Sequence, residues 1–180
     1  MAKPAKATAK TATKTAPKTA VKKTTQKAAA RKPGSPDATA LLRADHKRVS
    51  GLFDDFEKAR TPAKKKAIVA AICTELTVHT QLEDEIFYPA FKAALKDHEL
   101  VPEATVEHSS VKELIAQVEG VEPDGEMYDA KVKVMGEFVK HHVKEEQTQM
   151  FPKAKKSKLD LYALGLQMQA RKQELMAERA

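Results

Sequence analysis

His79-Thr80-Gln81-Leu82-Glu83-Asp84-Glu85-Ile86-Phe87-Tyr88-Pro89 returns in altered form as His142-Val143-Lys144-Glu145-Glu146-Gln147-Thr148-Gln149-Met150-Phe151-Pro152. In both stretches a glutamate follows a histidine by four residues, and an aromatic-proline pair closes the segment with the proline ten residues after the histidine. Each is preceded by an acid-histidine pair. His46 of Asp45-His46 lies 33 residues before His79, and His108 of Glu107-His108 lies 34 before His142. Repetition at this scale predicts a duplicated two-helix unit. Within each unit the histidine and glutamate share one helix face, because i and i+4 side chains stack.

Outward from these stretches the pattern stays helical, and no period-two alternation runs long enough for a sheet. Ser35-Pro36 reads as an N-cap followed by proline at the first helical position. A first helix over roughly 36–60 carries Leu42, His46, Val49, Phe53 and Phe56 in one stripe. Thr61-Pro62 ends it and caps a second, with Val69, Ile72, Leu76, His79, Glu83 and Ile86 aligned to about Phe87. Tyr88 precedes proline, so a kink or break is expected there. A third helix over about 102–119 aligns Thr105, His108, Val111, Ile115 and Val118. After the turn Pro123-Asp124-Gly125, a fourth over about 126–150 aligns Tyr128, Val132, Met135, Val139, His142, Glu146 and Gln149. A last stretch over about 158–178 presents Leu159, Tyr162 and Leu166 as cover for one face. Four long helices joined by short turns predict an all-α, up-down four-helix bundle with an additional C-terminal helix.

Charge divides the 180 residues unevenly. Residues 1–36 hold nine Lys and one Arg with no acid, a charge of +10, against −3 for the remainder. That segment is built from Lys, Ala, Thr and Pro with a single large apolar residue, Val21, and is expected to be disordered. The domain reading is therefore a basic tail over 1–36, a bundle over 37–165, and the end of the last helix over 166–180. Cys73 is the only cysteine, which excludes an internal disulfide and suits a reducing, cytoplasmic setting. The longest apolar run, Ala67–Cys73, is far short of the ~20 residues of a membrane span.

The histidines and glutamates fall inside the apolar stripes, where core residues belong. Burying two carboxylates in such a seam is costly unless a cation compensates. Imidazole with carboxylate suits iron, manganese or zinc. Antiparallel packing of the two halves would bring His46, His79, Glu83, His108, His142 and Glu146 together as metal ligands. Asp45 and Glu107 lie off the seam and read as solvated surface or as hydrogen-bond partners of the ligands. His98 falls in a connection and His141 points away from the seam. Glu145 is a reserve ligand, and Cys73 reads as a small buried apolar residue.

In this order, Asp45-His46, His79-x-x-x-Glu83 leading into Tyr88-Pro89, Glu107-His108, and His142-x-x-x-Glu146 leading into Phe151-Pro152 resemble the hemerythrin-like, histidine-histidine-glutamate (HHE) cation-binding domain. The resemblance covers about residues 37–165. It implies a four-helix bundle with a non-haem di-iron centre, four terminal histidine ligands, and Glu83 and Glu146 as bridges. Oxygen-carrying hemerythrins have a further histidine where Lys112 stands. They also use an aspartate five residues after the fourth-helix histidine, where this chain has a glutamate at four. Of roughly twelve coordination positions on two irons, about two then remain open for water, oxygen, nitric oxide or peroxide.

Four functions compete. The first is a module binding oxygen, nitric oxide or iron for sensing, storage or stress response, held on DNA by its basic tail. The second is a catalase-like di-iron enzyme breaking down peroxide, for which no separate acid–base constellation is visible. The third is an iron or zinc store without redox chemistry. The fourth is a nucleoid-associated DNA-binding protein whose bundle is a scaffold. The ten tail cations could contact phosphates without reading sequence, or serve as a solubilising arm.

Overall fold

The computed structural model describes residues 36–179, all of whose regular structure is helical. The tail reading over residues 1–35 lies outside the described residues. Helix α1 spans Ala38–Lys58. Its N-cap is Asp37 and not Ser35: the Asp37 carboxylate accepts from the Ala40 amide at 2.9 Å and from the Thr39 hydroxyl at 2.7 Å. Thr61 caps α2, Pro62–Leu82, with Pro62 in its first turn.

Tyr88-Pro89 brings no break. A π-helical turn over Glu83–Phe87 follows α2, and α3, Tyr88–Leu95, continues from it. The Tyr88 amide donates to the Glu83 carbonyl, five residues back. The wider turn absorbs the proline because Pro89 stands where a new helix begins and an amide proton is not needed. The second half repeats the device. Helix α4, Leu100–Val118, connects to α5, Glu126–Glu145, then a π-helical turn over Glu146–Met150, and α6, Phe151–Lys156. Each π turn slips the apolar stripe by one residue. Phe87 and Tyr88 are buried where Ile86 was expected, and Met150 and Phe151 where Gln149 was. In α4 the stripe runs through Ala104, and the Thr105 hydroxyl instead donates back to the Val101 carbonyl at 2.8 Å.

Helix α7, Leu161–Ala177, is capped by Asp160 and lies against α1 and α2. Its innermost residues are Gly165, Met168 and Leu175, whereas Leu159, Tyr162 and Leu166 are half-buried. Gly165 permits the close approach: a Cβ there would stand 2.5 Å from the Pro36 carbonyl oxygen and 2.9 Å from the Ala38 nitrogen.

Two apolar clusters fill the bundle. One holds Leu42, Leu82, Phe87, Phe91, Ala104, Met150, Phe151 and Met168. The other holds Val49, Ile72, Leu76, Val111, Ile115, Val132 and Met135. His46, His79, His108 and His142 each stand between the two clusters along their own helices, so the polar layer is sealed above and below by hydrocarbon. No helix among the described residues is long and apolar enough to cross a membrane.

Candidate metal centre

All six seam residues converge in that layer, and each is at most 6% exposed. His46 from α1 and His79 from α2 approach Nε2 to Nε2 at 3.1 Å. His108 from α4 and His142 from α5 do the same at 3.3 Å. The carboxylates lie between these pairs. Glu83 Oε2 is 3.3 Å from both His79 Nε2 and His108 Nε2. Glu146 Oε2 is 3.2 Å from His46 Nε2 and 3.7 Å from His142 Nε2. Each glutamate thus spans both halves of the duplication. His46, His79, Glu83 and Glu146 form one potential ligand group, and Glu83, His108 and His142 another.

The outer ring nitrogens show what the inner ones carry. His142 Nδ1 lies 2.7 Å from Glu107 Oε2, and His108 Nδ1 lies 3.0 Å from Asp84 Oδ1. An ionised carboxylate only accepts, so each Nδ1 keeps its proton and donates it. Asp84 is held ionised: burial works to raise its carboxyl pKa, but the bonds from His108 and Lys112 bring it below the usual range. In the neutral rings that ligation requires, the facing Nε2 atoms of His108 and His142 are then both lone pairs. Two lone pairs 3.3 Å apart in a sealed layer repel unless a cation or a proton stands between them. Burial opposes protonation of His142, but the Glu107 bond and the charges of Glu146 and Glu83 raise its pKa, so the site attracts positive charge. In the first half, His79 Nδ1 faces Asp45 Oδ2 at 3.8 Å, and His46 Nδ1 meets the Gln147 side-chain amide at 3.1 Å. That amide is held by Arg43, whose Nη1 donates to Gln147 Oε1 at 2.9 Å.

The residues fit a metal pair on three counts. Donor separations near 3 Å match neighbouring ligands on one ion with bonds of ~2.1 Å. Glu83 Oε1 and Glu146 Oε2 are buried without a hydrogen-bond partner. The two glutamates also cannot both ionise unaided. Burial, and then the like charge of Glu146, push the Glu83 carboxyl well above its ordinary range. For Glu146 burial also opposes ionisation, but the close approach of His46 Nε2 and the positive charge of His142 and His46 when protonated outweigh it and bring the pKa to about 2. A cation lets both be carboxylates. Burial meanwhile lowers His79 to about 4, which keeps its imidazole neutral, as ligation requires.

One further side chain stands in the cluster. The Tyr88 hydroxyl donates to Glu146 Oε1 at 3.1 Å and lies 3.3 Å from His108 Nε2 and 3.5 Å from Glu83 Oε2. Burial and the two glutamates push its pKa well above the ordinary tyrosine range, so the phenol stays protonated. Tyr88, five residues past Glu83, escaped the sequence reading because an unbroken α-helix would turn it elsewhere; the π turn brings it inward. Asp84 and Gln147, each directly after a seam glutamate, were missed for the same reason, although their matching positions were a usable signal. Asp45 is buried, not solvated, and Glu107 is half-buried. His98 is exposed outside the helices, and Glu145 faces His141 and not the buried layer. Cys73 lies in an apolar cluster, where burial pushes its thiol up to about 12.

Comparison with known proteins agrees with this fold. A solved structure of a Hemerythrin HHE cation binding domain-containing protein from Mycobacterium kansasii shares the fold, with a TM-score of 0.69 at 24% identity over 79% of this chain and 89% of that one. A protein of Nostoc sp. strain PCC 7120 named DNA nickase is 26% identical over 111 residues. The match takes in 62% of this chain but only 31% of that longer protein. Residues 37–154 match the family described as Hemerythrin HHE cation binding domain, and with that match over most of the chain the protein belongs to this metal-binding family.

Proposed function

We propose that the chain holds two iron ions between His46, His79, Glu83, His108, His142 and Glu146, and binds a small ligand there for sensing, storage or stress response. The ligand is oxygen, nitric oxide or peroxide. One observation carries the reading: two pairs of Nε2 atoms face each other across two buried carboxylates. An all-imidazole and carboxylate set, with Cys73 outside it, suits iron or manganese better than a thiolate-seeking metal. Bound iron would supply Lewis acidity, one-electron redox chemistry and open coordination positions. The chain's own residues hold His108 and His142 with Nδ1 donating outward, exclude bulk water through the two apolar clusters, and keep a phenolic proton at Tyr88 Oη. A cleft of about 670 Å³ between α1 and α5, walled by Phe53, Val132, Gly136 and Val143, leads a small ligand toward His46. Freshly purified protein should contain about two irons per chain and show oxo-bridged ferric absorption. A colourless protein holding zinc alone would overturn the assignment.

A second reading, peroxide breakdown, is favoured by Tyr88, a proton donor inside the cluster. Peroxide disproportionation lost in Tyr88→Phe at unchanged iron content would establish it. Nucleic-acid contact rests on the +10 charge of residues 1–36, and would place the protein on the nucleoid. The Nostoc relative is named for an action on DNA, which makes such contact worth testing without assigning that activity to this chain. A mobility shift with duplex DNA that disappears on deleting residues 1–36 supports contact, and an equal shift without them refutes it.

A further inference from the structure

His141-x-x-x-Glu145 runs one residue ahead of His142-x-x-x-Glu146 on the same helix, so the same i, i+4 stacking creates a second pair rotated toward solvent. Glu107 joins it from α4. Its Oε1 lies 3.5 Å from His141 Nε2, and Glu145 Oε1 lies 3.7 Å from the same nitrogen. One atom from each of the three falls within 4.8 Å of the others. The other oxygen of Glu107 accepts from buried His142. A single carboxylate therefore separates this exposed triad from the buried cluster.

Between them lies a cavity of about 10 Å³, room for roughly one water-sized particle. Glu107 and Glu145 line it on the outer side, His142 and Glu146 on the inner, with Ala104 and Met150 as apolar walls. Glu146, 2% exposed, forms part of the inner wall, and its Oε2, without a hydrogen-bond partner, faces His46 and His142 in the buried layer. The first half has no counterpart. The residues matching His141 and Glu145 are Val78 and Leu82, both buried, and the carboxylate matching Glu107, Asp45, is bound on its outer oxygen by Lys172 of α7.

We propose that Glu107, His141 and Glu145 form an outer site for a divalent transition-metal ion, through which the buried centre is loaded and emptied. One imidazole and two carboxylates suit such an ion and hold it loosely enough to release it, since the set is open to solvent. Clustered negative charge also raises the local cation concentration. The proposal rests on the metal-centre reading above.

The test uses the full-length apo-protein and cobalt(II), whose visible absorption reports ligation. His141→Ala/Glu145→Gln should fill the buried centre with cobalt to the same final extent as the unaltered protein, with uptake slowed roughly tenfold. Release to a chelator should slow by the same factor, because one route serves both directions and the buried affinity is unchanged. A merely loosened centre would instead release faster. Uptake and release at unaltered rates, or faster release, would overturn the outer route while leaving the buried centre standing. Unaltered protein that takes up no cobalt would overturn the centre and the route together.

Discussion

The two halves of the bundle supply the same ligands but meet their surroundings differently. In the first, the outer side of the His79-Glu83 pair is apolar and closed by α7, and Lys172 neutralises Asp45. In the second, Glu107 is half-buried and shares an open face with His141 and Glu145. Inside the layer the polarity reverses: the aromatic after the first π turn is Tyr88, its hydroxyl among the ligands, while the one after the second is Phe151, stacked on His46 with ring centroids 5.9 Å apart. Duplication thus provides a symmetric set of metal donors, and the residues around it distinguish a covered half from an open one. The carboxylates belong to neither half, since each contacts histidines of both, and removing either should damage both.

That sharing defines the largest expected effect. Glu83→Ala or Glu146→Ala should abolish binding of at least one metal per chain, read by elemental analysis, and loss confined to neither would break the symmetric picture. Stripping metal from the unaltered protein should lower its melting temperature, because an ion that binds only the folded state stabilises it by mass action. The variants should show a smaller drop on the same treatment. Next comes the cover. Gly165→Ala places a methyl group against backbone at Pro36 and Ala38, which cannot yield as a flexible side chain would. A cost of about 1–3 kcal/mol is expected, read as a fall in melting temperature.

The paired outer carboxylates then separate the halves. Glu107 meets its histidine at 2.7 Å and Asp45 at 3.8 Å. Glu107→Gln should therefore weaken metal affinity by ~10–100-fold, the usual consequence of losing a ligand's orienting acceptor, and Asp45→Asn by less. Stability should rank the other way, because Asp45 is buried and also holds Lys172 of the covering helix. Equal effects on affinity would show that the closer contact carries no more weight.

The bundle was legible because its evidence is periodic: seam residues at steps of three and four identify helices, and the turn residues between them mark the ends. Convergence of the six residues followed from the duplication, their place in the apolar seam and antiparallel packing of the two halves. What stayed hidden depended on one hydrogen-bond shift. A π turn leaves no mark in hydrophobic periodicity beyond a one-residue slip, and the proline that accompanies it reads more naturally as a terminator. Tyr88 was consequently assigned to a break when it stands among the ligands. Asp45 and Glu107 were left open between solvent and hydrogen bonding to the ligands for a different reason. Their angle on the helix is correct, but neighbouring helices and α7 reach around that face, which a single-helix argument does not include.

The smallest effect should come from Tyr88→Phe, which gives the first half the aromatic type of the second. The ring keeps its packing, including its stack against His108 at 5.4 Å. Only the hydroxyl leaves, and with it one bond to Glu146. A hydrogen bond to a charged acceptor contributes about 1.5–3 kcal/mol at most, and part is recovered because no other donor is stranded. Metal content should stay unchanged and the melting temperature should move by a few degrees. Loss of metal on this substitution would mean that the phenol, and not the six seam residues alone, holds the centre together. The two halves would then be unequal in their ligands as well as in their surroundings.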